Sequence, residues 1–216
     1  MSKVDLKVDW ATHEAAKYAC LNWHYSRSIP KSKLVKIGVW ESDKFIGVVI
    51  FGVGGNRFLS SPYGIEQTEV CELARVALTS HESNVSQILS RCFKMIKKQF
   101  PTMRLVVSFA DPVEGHHGGI YQAGNWIYSG TSKESKEVFF KGKWVKRVDS
   151  TRGHSGPKRK TPGKHRYLMP LDKKMRKQIL PLAQPYPKRS KQAMDATSVT
   201  AMGQHQSDRS TEASYA

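Results

Sequence analysis

The segment from Phe109 to Gly130, FADPVEGHHGGIYQAGNWIYSG, constrains the fold more than any other part of this chain. The apolar run Leu105 to Ala110 reads as a buried strand, and Asp111-Pro112 stops it with a side-chain acceptor and a fixed turn. Gly118 and Gly119 permit a tight backbone, Ile120 to Ala123 starts a short helix, and Gly124 or Asn125 ends it. Trp126, Ile127 and Tyr128 then resume an extended run closed by Gly130. A chain that passes so quickly from strand to polar turn to short helix to strand has to gather Asp111, Glu114, His116, His117 and Tyr121 near one strand mouth. That is where α/β enzymes carry out chemistry.

The remaining pattern predicts a mixed α/β (α+β) domain. Ala11 to Tyr18 reads as a helix with Thr12 as its cap, and Lys33 to Trp40 and Lys44 to Val53 form a hairpin about Glu41-Ser42-Asp43. After a loop from Gly54 to Gly64, Thr68 to Leu78 is extended. The clearest helix, Val85 to Phe100, comes after a polar loop from Thr79 to Asn84; its apolar positions keep 3.6-residue spacing and Lys97-Lys98 suit its C-terminal dipole. A pair of strands is expected within Glu137 to Val148 and a brief helix at Asp172 to Leu180. Composition divides the chain into a catalytic domain at 1–150, a basic extension at 151–191 and a disordered tail at 192–216.

Charge is concentrated. The net charge is +17, and residues 141–191 hold 17 basic and 2 acidic side chains. Within that block Lys141, Lys143, Lys158, Arg159, Lys160, Lys164 and Arg166 are interleaved with Trp144, His165 and Tyr167, a mixture suited to phosphate contacts with some stacking, so nucleic acid is the expected partner. A solvated tail is the plainer alternative. Three cysteines, Cys20, Cys71 and Cys92, have no zinc or disulfide spacing, and the first residues lack a signal peptide's apolar core. A soluble protein of a reducing compartment, with no membrane partner, is expected.

Single residues keep two readings each. Asp111 can accept a proton from an attacking amine or hold a metal, although Asp-Pro also begins ordinary turns. Tyr121 can protonate a leaving group or simply pack. His24-Tyr25 can form the far wall of a cleft or fill a core. Arg75, flanked by apolar residues, requires either an internal ion pair or an anionic substrate.

The order helix, hairpin, strand, long helix, strand, short helix, strand resembles the fold of the GCN5-related N-acetyltransferases. In that fold two strands splay apart, and the donor's diphosphate rests on backbone N–H groups at the start of the long helix. The resemblance implies donor contacts at Val76, Leu78, Ser83, Asn84, Ser86 and Ser108. The loop Thr79–Asn84 has none of the family's glycines, which counts against ordinary acetyl-CoA binding. Trp23-His24-Tyr25-Ser26, Glu72-Leu73-Ala74-Arg75, Ala110-Asp111-Pro112 and Gly118 to Gly130 together resemble a divergent branch, the Mom family of DNA-modification proteins of Mu-like bacteriophages.

That resemblance implies conversion of adenine in phage DNA to N6-(carbamoylmethyl)adenine, protection from restriction, and a location in the host cytoplasm. It implies a site of His24, Tyr25, Arg75, Asp111 and Tyr121 and a requirement for iron, for which His24 and Asp111 with His116 or His117 would make a His/carboxylate ligand set. Acetyl transfer supplies two carbons but not the amide nitrogen. A glycyl donor, glycyl-tRNA, is therefore the expected cofactor, acetyl-CoA with an iron-assisted second step the alternative, and tRNA a further partner. The target adenine has to leave the duplex, and Trp23, Tyr25 or Trp126 could stack on it. A non-catalytic DNA-binding protein on the same scaffold and a small-molecule or protein N-acetyltransferase are the other classes.

Overall fold

A computed structural model describes residues 4–53, 58–140, 142–146 and 156–188. In chain order the elements are β1 (Leu6–Trp10), α1 (His13–Trp23), β2 (Lys33–Glu41), β3 (Lys44–Val53), β4 (Val70–Leu78), α2 (Val85–Gln99), β5 (Leu105–Ala110), α3 (Gly119–Ala123), β6 (Ile127–Thr131), β7 (Ser135–Phe140), β8 (Lys143–Lys146), β9 (Lys158–Thr161), β10 (His165–Pro170) and α4 (Lys173–Ile179). Seven strands form the main sheet in the order β1-β2-β3-β4-β5-β10-β6, and β8-β7-β9 form a small separate sheet.

The expected hairpin is present, and its turn residues Ser42 and Asp43 both have left-handed φ, as a two-residue turn matched to strand twist requires. Helix α1 starts at the expected Thr12 cap, whose hydroxyl accepts from the Ala15 N–H at 3.1 Å, but it runs on to Trp23. Strand alternation distributes the core. Val49 and Phe51 face α2 with Ile88, Leu89, Cys92 and Ile96, whereas Val48 and Ile50 face α1 with Ala16, Ala19 and Cys20. Each such fully buried aliphatic side chain contributes roughly 1.5–3 kcal/mol.

Three features position the site. Every neighbouring pair in the main sheet is antiparallel except β4 and β5, which pair in parallel from Val70 and Leu105 only as far as Leu73 and Ser108. Beyond that point the ladder stops and the two strands part. On its other side β4 carries a bulge: Leu73 faces Phe51 and Arg75 faces Ile50, so Ala74 has no partner in the β3 register. An extra residue of this kind bends the strand and re-aims the residues beyond it. The third feature corrects the expected boundary near residue 150. Although composition changes there, β10 comes from the basic block and lies inside the sheet, with His165 opposite Ala110 and Pro170 opposite Leu105. Among the described residues no helix is long and apolar enough to cross a membrane.

Candidate active site

Where β4 and β5 part, a cleft of about 690 Å³ opens between Leu73, Ala74, Arg75 and Val76 on one side and Phe109 and Ala110 on the other. Trp23, His24 and Tyr25 at the end of α1 close one wall, and the loop from Glu114 to Tyr121 closes the opposite wall. The expected elements therefore meet.

His24 is buried, and its Nδ1 accepts the Ser26 N–H at 3.1 Å and lies 2.8 Å from the Ser26 hydroxyl. A ring nitrogen that accepts a backbone N–H carries no proton, so the neutral ring bears its hydrogen on Nε2. Burial lowers its pKa to about 4, helped by the positive Arg75 and the neighbouring His116. Unfolded, the same side chain takes a proton near pH 6.5, so its contribution to stability is intact above about pH 6.5 and is lost as pH falls toward about 4. Urea unfolding at about pH 7 and about pH 5 should show wild-type stability falling, and falling less in His24→Gln.

Tyr25 lies beside His24 at 4.4 Å between ring centroids and beside His116 at 5.0 Å. The residue remains 51% exposed at the cleft mouth. The half-buried Arg75 directs Nε to the Ser28 carbonyl at 3.3 Å and Nη1 to the Ala74 carbonyl at 2.7 Å. These are main-chain partners, and no ion pair to Arg75 occurs among the described residues. Of the two readings open for Arg75, the internal ion pair is thus not realised there.

Tyr121 forms part of the cleft floor. Its hydroxyl lies 2.8 Å from that of buried Ser108, which donates to the Leu73 carbonyl at 2.9 Å and so is left to accept from Tyr121. Burial pushes the Tyr121 hydroxyl up to about 12, which keeps it protonated. The preceding loop is held from β10. The Tyr167 hydroxyl donates to the His117 carbonyl at 2.5 Å, and Gln122 Nε2 donates to the same carbonyl at 3.2 Å and to the Pro187 carbonyl at 3.3 Å. Sequence reasoning missed Tyr167 and Gln122 as supports, because the pairing that delivers them spans some fifty residues.

Asp111 sits differently from expectation. Its Oδ1 accepts the Val113 N–H at 3.1 Å, the ordinary turn-capping role, and its Oδ2 pairs with Lys164 at 2.6 Å. It lines not the main cleft but an adjoining polar groove, shared with Arg75, Glu72, Glu137 and Arg159. Of the expected metal set, His24 and His116 both line the cleft but Asp111 lies in the adjoining groove, and among the described residues no group of three or more His, Cys, Asp or Glu converges to hold a metal ion. With the His24 hydrogen on Nε2 and Asp111 committed to Val113 and Lys164, these residues do not present the open donor set that an iron ion needs.

The six expected donor residues are dispersed. Val76 lines the cleft and Ser108 lies beneath it, but Leu78 packs against the core, and Ser86 lines a second groove beside Trp126 and Leu171. Among the described residues Asn84 bonds through its carbonyl, to Gln87 and Ile88, and its side chain does not cap the helix. The Ser83 and Glu82 N–H groups are occupied by Glu41, Oε1 at 2.6 Å and Oε2 at 3.0 Å. Burial tends to raise the Glu41 pKa, but hydrogen bonds from the Ser83 side chain and these two N–H groups prevail and lower it.

The basic block divides likewise. Lys158, Arg159 and Lys160 lie exposed on β9, where Arg159 pairs with Glu137 at 2.7 Å and covers Trp144 at 4.5 Å. Lys164 is committed to Asp111, and the charge of Arg166 acts on the buried Tyr63 hydroxyl. Lys141, the Lys143 side chain and the expected disordered tail lie outside the described residues. Trp23 lines the cleft between Tyr18 and Phe45, whereas Trp126 is 1% exposed against Phe93 and Tyr121 and cannot stack on a base.

Comparison with known proteins agrees with this architecture. The chain is 26% identical over 204 residues to the methylcarbamoylase Mom of Escherichia phage Mu, covering 85% of this chain and 84% of that protein. In fold it is similar to the aminoglycoside acetyltransferase AAC(6')-Ib, solved with coenzyme A and kanamycin, at a TM-score of 0.50 and 10% identity over 80% of this chain and 98% of that one. It is also similar to the spermidine/spermine N-acetyltransferase SpeG of Vibrio cholerae, at a TM-score of 0.47 and 10% identity over 80% and 96% of the two chains. The expected acetyltransferase-like fold is present, as the likeness at a TM-score of 0.50 and the parting of β4 and β5 show. The sequence model of the Mom protein family matches residues 5–188, from the first strand through the segment that meets Gln122, and the chain accordingly belongs to the Mom protein family.

Proposed function

We propose that this protein converts adenine in phage DNA to N6-(carbamoylmethyl)adenine, protecting it from restriction, with the β4/β5 cleft as its reaction chamber and glycyl-tRNA as its donor. Family membership and the methylcarbamoylase relative support adenine modification. The observation that carries the site is the cleft wall itself: Arg75 without a carboxylate partner among the described residues, and a neutral His24 with its proton on Nε2.

The exocyclic amine of adenine is a weak nucleophile. In the proposed reaction N6 attacks the glycyl ester carbonyl, an N–C bond forms, and the ester C–O bond breaks. Asp111 in this scheme takes the N6 proton once Lys164 releases its Oδ2 and the amine is presented where the cleft meets the adjoining groove, and the departing ribose oxygen recovers a proton. His24 Nε2–H and the cation of Arg75 stabilise the oxyanion, and Tyr121, protonated, orients the acyl group. The free glycyl amine then attacks purine C6 through a five-membered ring. The old C6–N6 bond breaks, the glycine nitrogen becomes the new N6, and the original N6 ends as the terminal amide. No oxidant or reductant is required.

The amine is paired in duplex DNA, so the adenine is extruded, at a cost of a few kcal/mol. Tyr25, exposed beside His24 and His116, is the proposed stacking platform, and Lys158, Arg159 and Lys160 the proposed phosphate contacts. Cells expressing this protein and fed ¹³C,¹⁵N-glycine provide the test, by mass spectrometry of DNA nucleosides. Both labelled carbons and the labelled nitrogen should appear in the modified adenine, the nitrogen attached to C6. Glycine also feeds the purine ring, so label is read in the carbamoylmethyl group against unmodified adenine of the same DNA: a side chain without label would remove the glycyl donor, and no modified adenine would remove the enzymatic reading.

A further inference from the structure

We propose that Glu41 seals the anion site at the start of α2, and so makes this enzyme refuse coenzyme A and other acyl donors held by a diphosphate. The inference rests on the acyl-transfer reading and deepens it by naming the donor class that is shut out.

The start of a long helix carries unsatisfied N–H groups and partial positive charge, the natural seat for a diphosphate. Here the loop that leads into the seat, immediately before the N-cap Asn84, has an occupant from the chain's own sheet. Glu41, the last residue of β2, reaches across to the loop before α2, where both carboxylate oxygens are used, one by the Ser83 N–H at 2.6 Å and the other by the Glu82 N–H at 3.0 Å. The side chain is held in place, since Glu41 is 9% exposed. The loop is pinned from its other end as well, by the Thr79 N–H on the Ile46 carbonyl at 2.9 Å. It contains no glycine from Thr79 to Asn84 that would let the backbone fold closely around phosphate.

A diphosphate arriving here would meet two engaged donors and a fixed negative charge, and like charges at close range repel. Glu41 thus orders the loop without any donor. The donors left are those whose activated leaving group is recognised elsewhere, such as the ester of a polynucleotide.

Calorimetric titration of the full-length protein tests this, with coenzyme A and inorganic pyrophosphate as probes. The wild type should show no saturable binding of either below the millimolar range. Glu41→Ala should bind pyrophosphate at least roughly tenfold more tightly than wild type, and Glu41→Gln, which keeps the shape and one acceptor, should fall between them. Micromolar binding of coenzyme A by the wild type would overturn the proposal, and so would pyrophosphate binding unchanged in both variants. If the alanine variant does not fold, the glutamine variant and the wild-type titration decide. These readouts are independent of DNA modification, so failure here and failure of the glycyl scheme are separately visible.

Discussion

Arg75→Ala should lower the rate of adenine modification by about 10²–10³-fold, the usual consequence of removing one fixed charge or donor from a developing oxyanion. The guanidinium is held by the Ser28 and Ala74 carbonyls, so it is already oriented when substrate arrives. Its position comes from the bulge at Ala74, since without the extra residue the remainder of β4 would face the other way. Loss of the two main-chain bonds should cost only about 1 kcal/mol of stability, because exposed solvent can satisfy both carbonyls. Arg75→Lys should recover little activity, because a single ammonium cannot reproduce a planar fork with two fixed donors. Single-turnover assays on duplex oligonucleotides, with urea unfolding of the same variants, measure both effects. Wild-type rates in Arg75→Ala would exclude the residue from the reaction.

Gly118→Ala should nearly abolish activity and destabilise the fold by about 2–4 kcal/mol, combining a left-handed backbone with overpacking. Gly118 has φ +84°, and a Cβ there would fall against the Tyr167 ring, 2.6 Å from its hydroxyl. Tyr167 has nowhere to retreat. It is fully buried, with Tyr121 at 5.0 Å and Tyr128 at 5.3 Å between centroids, and its hydroxyl holds the His117 carbonyl. The loop would therefore be displaced along with His116, His117 and the start of α3. Gly115→Ala is the matched control: its φ is also positive, +71°, but a Cβ there meets nothing within 4 Å, so it should cost only about 1–2 kcal/mol and leave most activity. Equal behaviour of the two variants would show that support by Tyr167 is irrelevant.

Local pattern made much of this molecule readable. Helix α2 announced itself by its apolar stripe, the hairpin by its turn, and β5 with α3 by the run from Leu105 to Gly124. The meeting of His24, Tyr25, Arg75 and Tyr121 at one cleft came from family resemblance, since residues so far apart share no local signal. Strand β1 was overlooked because it is an edge strand with only Leu6 buried. Strand β10 was hidden for another reason: only Tyr167 and Leu168 are buried within it, and basic neighbours made it look like a tail. With β10 unplaced, its register against β5 could not be read, and with it went the Asp111–Lys164 pair that changes the surroundings of the expected base. Glu41 was read as a turn residue, since nothing local shows that it reaches the loop before α2, some forty residues on.

The late arrival of β10 also governs how the protein can come into being. Until residue 170 has emerged from the ribosome, β5 and β6 are two open edges with a missing strand between them, each a template for pairing with another chain. The sheet is closed by contacts of high sequence separation, which makes its completion slow. The floor of the cleft rests on Tyr167, so catalytic competence and closure of the sheet arrive together. A nascent or truncated chain ending at the change in composition would lack the centre of its own half-sheet, and would be a candidate for aggregation rather than a minimal enzyme.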